Sequence, residues 1–376
     1  MKIGIPRETA HGEKRVALVP ETVKKLAARK ITVLVEASAG ERSRFPDADY
    51  AAAGAEIVGS FAALAAAADA IVKIDPPSDA ELVQLRPGTT LVSLQYPLSS
   101  AAFVRAANER RLTTIALDMI PRTTIAQAMD VLSSQANLAG YWAVVASATR
   151  LPKIFPMMMT AAGTISPSRV LIMGVGVAGL QAIGTAKRLG AVVEATDVRP
   201  ETKEQVESLG GRFLQVEGVE VKKTTTGYAA EQSDEYKQKQ AQLISTAIAR
   251  ADVVITTALI PGRPAPKLVT EEQVRSMKAG SVIVDLAAEQ GGNVAGSRPG
   301  EEVDVAGVTI IGGLSVASNV AFHASQAFSR NIEKLLVHLT ADGEWKPVGE
   351  DPIARGCIIT RDGSTVQAAV LAAHGA

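Results

Sequence analysis

Short apolar runs alternate with helical periodicities from the first residues onward, which is the pattern of βα repeats and parallel sheets. Ile3–Pro6 reads as a strand, Pro20–Arg29 as a helix and Ile31–Glu36 as the next strand. A helical stretch opens at Asp49–Ala53, and the Ala-rich segment from Phe61 to Val72 reads as a buried helix, too short to cross a membrane and interrupted by Asp69. Ile71–Ile74, Thr90–Leu94 and Thr113–Ala116 supply further strands of a first α/β unit ending near Asp118. A long helical region from about Ala126 to Ala148 and a Met-rich turn, Pro156 to Thr164, come next. The strands of a second unit are expected at Val170–Met173, Val192–Thr196, Val253–Thr256, Ser281–Asp285 and Thr309–Ile311. Beyond Leu314 a helix, Asn319–Leu339, precedes a polar tail expected to pack back on the first unit. The fold class is therefore α/β, with two Rossmann-like domains of parallel sheets separated by a cleft. Residues 1–133 with 315–376 form one, and residues 134–314 the other.

Composition narrows the function. The chain has 376 residues, 47% hydrophobic but only 4% aromatic, so its cores are built from Ala, Val, Leu and Ile. Lys and Arg number 39, as do Asp and Glu, and the zero net charge offers no global field for nucleic acid. Cys357 is the only cysteine, which excludes an internal disulfide. The opening residues carry an acidic residue and a proline where a secretory signal needs an apolar run, and no stretch approaches 18 uncharged apolar residues. The chain is expected to be soluble, and no metal-ligand set is expected.

The most informative motif follows the apolar run Val170–Met173: Gly174-Val175-Gly176-Val177-Ala178-Gly179, then a helical pattern over Leu180–Leu189. This is G-x-G-x-x-G between a strand and a helix, the context of a dinucleotide-binding turn. Gly174 permits the tight turn, Gly176 lets backbone approach a pyrophosphate, and Gly179 lets the helix pack on the sheet. The free N–H groups at the helix start, around Val177 and Ala178, point at the diphosphate. The next strand ends at Asp197, 23 residues past Gly174 (197 − 174). A carboxylate there accepts hydrogen bonds from ribose hydroxyls and repels a 2′-phosphate, favouring NAD(H); Arg199, two residues on, is able to tolerate one.

Alcohol and amine oxidation needs a base beside the nicotinamide. None of the four histidines, His11, His323, His338 and His374, lies in the glycine turn or in the polar segment after Pro121. Hydride passing between two nicotinamide rings releases no proton and needs only positioning of the reacting carbons, at about 3–3.5 Å, and exclusion of water. The richest polar segment runs from Pro121 to Asn137. Arg122, Gln127, Asp130 and Ser133 stand there at spacings of 5, 3 and 3, placing the last three on one helical face. That face suits a carboxamide and ribose; it also suits a capped helix start with a solvated face.

Several segments resemble the NAD(H)-binding component of proton-translocating NAD(P) transhydrogenase. They are Asp130-Val131-Leu132-Ser133-Ser134-Gln135, the Met-rich run from Phe155 to Thr164, the glycine turn, Ala195-Thr196-Asp197-Val198-Arg199, and Thr256-Thr257-Ala258-Leu259-Ile260-Pro261-Gly262. The resemblance covers essentially the whole chain. It implies that Arg122, Asp130 and Ser133 hold the nicotinamide end of NAD(H), and that Gln127 reaches toward NADP(H) carried by a partner domain. It places Val198, Ala258 and Leu259 at the cofactor beside Asp197 and Arg199, and makes Tyr228 part of a mobile loop that folds over nucleotide. It further implies a homodimer, membrane-spanning proton-channel partner subunits, and a peripheral place on the cytoplasmic side of the inner membrane. The related alanine dehydrogenases are the alternative: Arg15 and Lys73 match their substrate-carboxylate pair. Their histidine, however, is replaced by Gln95-Tyr96-Pro97, and their catalytic aspartate by Glu289. Arg15 and Lys73 then read as structural ion-pair residues.

Overall fold

The chain is described from a computed structural model, which covers residues 1–216, 234–260 and 262–375. The expectation for Tyr228 lies outside these residues. Contacts divide the chain into two units, Met1–Gln135 with Ala317–Ala376, and Ala136–Val316.

The first unit is built on an eight-stranded sheet in the order Ser364–Thr365, Ile358–Arg361, Thr113–Ala116, Thr90–Ser93, Ala70–Val72, Lys2–Ile5, Thr32–Glu36 and Glu56–Val58. The six strands from the N-terminal part are parallel. The tail expected to be merely polar instead adds two antiparallel strands, with Thr360 opposite Thr114. Ile358 and Ile359 are buried and the Thr360 and Thr114 hydroxyls bond at 2.9 Å, so the sheet edge is covered. The Ala-rich segment is not one helix either. A helix over Phe61–Ala67 gives way at the extended Ala68 to the strand Ala70–Val72. Asp69 makes the break: its carboxylate accepts the Lys2 N–H at 2.7 Å and its own N–H donates to the Lys2 carbonyl, tying it to the central strand. The helix Ala321–Leu339 buries Phe328, Ile332, Leu335 and Leu336, spaced so that one stripe faces the core.

The second unit carries a seven-stranded sheet. Its parallel strands, numbered by their order in the chain, lie as 3-2-1-4-5-6: Arg212–Phe213, Val192–Thr196, Arg169–Met173, Val253–Thr256, Val282–Asp285 and Val308–Gly312. This is the dinucleotide-binding order. Glu302–Val305 closes one edge antiparallel. The central strands are buried on both faces and read as unbroken aliphatic runs. Gly140, on the helix Val131–Arg150, presses on the glycine-turn helix: a Cβ there would stand 2.1 Å from the Ala178 carbonyl oxygen. The Met-rich segment is not a bare turn but a hairpin, Met158–Thr160 with Gly163–Ile165, and all six of those residues are exposed.

Buried charge is concentrated in the first unit. The Glu13 carboxylate receives the Arg15 guanidinium through Nε at 2.8 Å and Nη2 at 2.5 Å, while Ser318 donates its hydroxyl to the same carboxylate. Both Glu81 carboxylate oxygens lie 2.9 Å from Lys73 Nζ, and Glu8 stands 3.8 Å from the same ammonium. Glu8 accepts the Ile74 N–H with one oxygen, and its other oxygen is buried without a hydrogen bond. Burial pushes the Glu8 carboxyl from 4.5 up to about 8, despite the opposing pull of Lys73. Between those two pH values the native state holds a proton that the unfolded chain releases. This group's stabilisation is complete below about pH 4.5 and is lost as pH rises toward 8. Glu8→Gln removes the ionisation, so thermal melts from pH 5 to 9 should show the variant gaining on the parent as pH rises. Melting curves that stay parallel would contradict a protonated Glu8.

Candidate dinucleotide site

Ligands of open parallel sheets gather outside the carboxyl ends of the strands, and the glycine turn lies at that edge of the second unit. Gly174 has φ +104°, the left-handed side that disfavours side chains, and a Cβ there would sit 2.5 Å from Thr257 Oγ1. Gly179 is tighter still, its Cβ position being 1.9 Å from the Gly174 carbonyl oxygen, so the helix packs directly on the turn. Gly176 differs: a Cβ there would meet nothing within 4 Å, leaving open space above exposed backbone. The helix Val177–Arg188 begins at this residue with no side-chain cap. The positive end of its dipole, at Val177, Ala178 and Gly179, is therefore offered to an anion from outside. The residues fit a diphosphate.

Asp197 closes one side of the turn. Its Oδ2 accepts the Val175 N–H at 2.7 Å and its Oδ1 the Arg199 N–H at 2.8 Å. The Arg199 guanidinium lies along the same carboxylate, Nε to Oδ1 at 2.9 Å and Nη2 to Oδ2 at 3.0 Å. Burial works to raise the Asp197 pKa, but these hydrogen bonds, Arg199 foremost, outweigh it and hold the carboxyl below its ordinary range. Arg199 is thus turned onto the carboxylate rather than outward. Val198 is 71% exposed at the end of its strand and Leu259 is 52% exposed after the strand Val253–Thr256. The glycine-turn strand lies between those two strands, so two apolar side chains flank the turn.

Two positions at this edge carry roles that motif reading does not assign. Thr257 donates its hydroxyl to the Gly174 carbonyl at 3.0 Å. Asn293 is fully buried; its amide nitrogen donates to the carbonyls of Ala258 and Pro266 at 2.9 and 2.8 Å, and its oxygen accepts the Ala258 N–H at 3.0 Å. Together they pin the backbone at Ala258 beside the turn. The sequence signal was an amide following Gly291-Gly292 after a buried strand, recognisable only once those hydrogen bonds are seen.

The remaining expected residues, Glu289 excepted, belong to the first unit. The long helix does not start near Ala126: a 3-10 turn spans Ala126–Met129, Asp130 is extended, and the helix begins at Val131. The reason is a cap. Asp130 accepts the Ser133 N–H at 2.9 Å and its hydroxyl at 2.6 Å. Gln127 consequently does not share a helical face with Asp130 and Ser133. Arg122 and Gln127 are exposed, and among the described residues their side chains make no hydrogen bond or ion pair within the chain. Arg15 and Lys73 stand in the buried ion pairs above. Gln95 is buried, its amide turned to the carbonyls of Leu91 and Ile115. Glu289 is exposed and accepts the Ser315 N–H.

Comparison with known proteins shows the family. Residues 4–139 match the N-terminal domain and residues 143–368 the C-terminal domain of alanine dehydrogenase/PNT. An NAD(P) transhydrogenase subunit alpha chain of Rhodospirillum rubrum is 47% identical, over 98% of this chain and 99% of that one. The crystal structure of transhydrogenase from Sinorhizobium meliloti superposes with a TM-score of 0.89 at 46% identity, covering 97% of this chain and 100% of that chain. Alanine dehydrogenase of Mycobacterium tuberculosis is more distant, at 34% identity over 80% of this chain and 76% of its own length. The chain belongs to the alanine dehydrogenase/PNT family, and the Rhodospirillum rubrum transhydrogenase subunit exceeds the Mycobacterium tuberculosis alanine dehydrogenase in both identity and coverage.

Proposed function

We propose that this chain is the NAD(H)-binding component of a proton-translocating NAD(P) transhydrogenase. In that role it presents NADH for hydride transfer to NADP⁺ held by a partner domain, giving NAD⁺ and NADPH without release of a proton. The observation that carries the reading is the open face over Gly176, at an uncapped helix start beside the Asp197 carboxylate. NADH, once bound, supplies the hydride from its nicotinamide. This chain's residues bind and orient. The helix-start amides at Val177, Ala178 and Gly179 receive the diphosphate, Asp197 takes the ribose hydroxyls, and Val198 and Leu259 cover the adenosine. Asp130 and Ser133, already locked to one another, form a rigid polar pair for the nicotinamide carboxamide, and Arg122 serves the same end of the nucleotide. Gln127 is exposed and reaches toward the second nucleotide. Rigid placement is what such a step requires, because positioning and exclusion of water supply its rate.

The complete enzyme then includes membrane-spanning subunits that conduct protons, with this chain bound peripherally on the cytoplasmic side of the inner membrane. No helix among the described residues is long and apolar enough to cross a membrane. The chain acts as a homodimer through the Met-rich hairpin: Met157, Met158, Met159 and Ile165 are 59, 46, 78 and 46% exposed, a cost in water that a second copy removes. Burial of Gln95 against backbone carbonyls speaks against amino-acid oxidation.

Mixing the chain with an NADP(H)-binding partner domain and following reduction of a nicotinamide analogue tests the activity directly; turnover of alanine by the chain alone would replace this reading with the dehydrogenase one. Asp197→Ala should weaken NADH binding by about tenfold or more, as expected for lost charge-assisted hydrogen bonds, and unchanged affinity in calorimetry would remove Asp197 from the site. Gln127→Asn is expected to slow single-turnover hydride transfer far more than it weakens NADH binding, and equal losses would end the bridging role. Met159→Asp should shift the sedimentation coefficient to that of a monomer; a persistent dimer would move the interface elsewhere.

A further inference from the structure

We propose that the first unit holds a second ligand site, for a small amphipathic anion, at the end of its sheet opposite to the strand carboxyl ends. A cavity of about 250 Å³ lies there, against the first residues of two parallel strands, Thr90 and Thr113. The hairpin that carries Trp345 and the helix Pro352–Cys357 frame it. Its apolar lining comes from Leu339, Trp345, Val348 and Ile358. Arg361, Lys346 and His338 line it as well.

Charge decides which ligand this suits. Asp351 is the one carboxylate among the described lining residues, and both of its oxygens are committed. Oδ1 caps the helix through the Ile353 and Ala354 N–H groups at 2.8 and 3.2 Å, and Oδ2 lies 2.6 Å from His338 Nε2. Lys346 uses one proton on the His338 carbonyl at 2.8 Å, leaving two for another acceptor. The half-buried Arg361 guanidinium makes no side-chain hydrogen bond or ion pair among the described residues. Two cationic side chains that make no ion pair among the described residues, beside a single carboxylate already engaged by other donors, match a carboxylate, sulfonate or phosphate monoester on a compact apolar body. The fork of Arg361 takes the anionic head and Trp345 covers the body. The site shares no residue with the dinucleotide turn, so it stands or falls independently of the function proposed above.

The test uses the whole chain and 1-anilinonaphthalene-8-sulfonate, a fluorescent amphipathic anion, with NADH present at saturation to fill the dinucleotide site. The expected result is one saturable site per chain, displaced by hexanoate or benzoate. Its affinity should fall about tenfold or more in Arg361→Gln and by a smaller factor in Lys346→Gln. Arg361 makes no side-chain hydrogen bond or ion pair among the described residues, so Arg361→Gln should melt with the parent, whereas Lys346→Gln loses the bond to the His338 carbonyl and should melt slightly lower. Full displacement of the probe by NADH, or equal affinity in parent and both variants, would overturn the proposal.

Discussion

Everything at the carboxyl edge of the second unit depends on one close approach between backbones. The Gly174 carbonyl oxygen occupies the space where a side chain at position 179 would be, and the Ala178 carbonyl occupies the space where one at position 140 would be. These contacts bring a strand, a turn and two helices together without side chains between them. The start of the helix is thereby held over the sheet edge with its amides unshielded. A methyl group at either glycine would have to push backbone aside, which a packed interior resists. The fixed position of the helix start is a consequence of this packing, with Thr257 and Asn293 holding the neighbouring strand end in place.

Much of this was legible from residue types alone, for identifiable reasons. Aliphatic strands buried on both faces announce themselves as continuous runs, so the strands ending at Met173, Thr196, Thr256 and Asp285 were placed to within a residue. The glycine turn was legible because its backbone conformation and packing admit little else. What escaped were features set by single polar contacts. The helix start at Val131 depends on where the Asp130 carboxylate bonds, and periodicity runs through such a cap unchanged. Asp69 likewise splits an Ala-rich run through two hydrogen bonds to a strand sixty-seven positions away. The strand Ile358–Arg361 is hard to read because its partner Thr113–Ala116 lies far off in the chain and it is short, flanked by Gly356-Cys357 and Asp362-Gly363.

The two units differ in how they place charge, although the second also buries Glu194, Asp252 and Asp285. In the first, Arg15 and Lys73 are enclosed and matched by Glu13 and Glu81, with Glu8 kept neutral nearby. Taking such groups out of water is expensive, and the geometry must be complete for the arrangement to break even. That demand explains why so many hydrogen bonds converge on Glu13. In the second unit the significant pair lies at the rim, where solvent moderates the cost and a ligand has access.

That rim pair has an evolutionary corollary. Asp197 and Arg199 cancel one another, so the sheet edge beside the turn is electrically quiet while nothing is bound. Losing the carboxylate alone would leave a guanidinium released from its tether, next to the spot where a nucleotide's ribose is expected. On the role proposed for Asp197, one substitution at that position separates preference for an unphosphorylated ribose from tolerance of a 2′-phosphate, with the fold left unchanged.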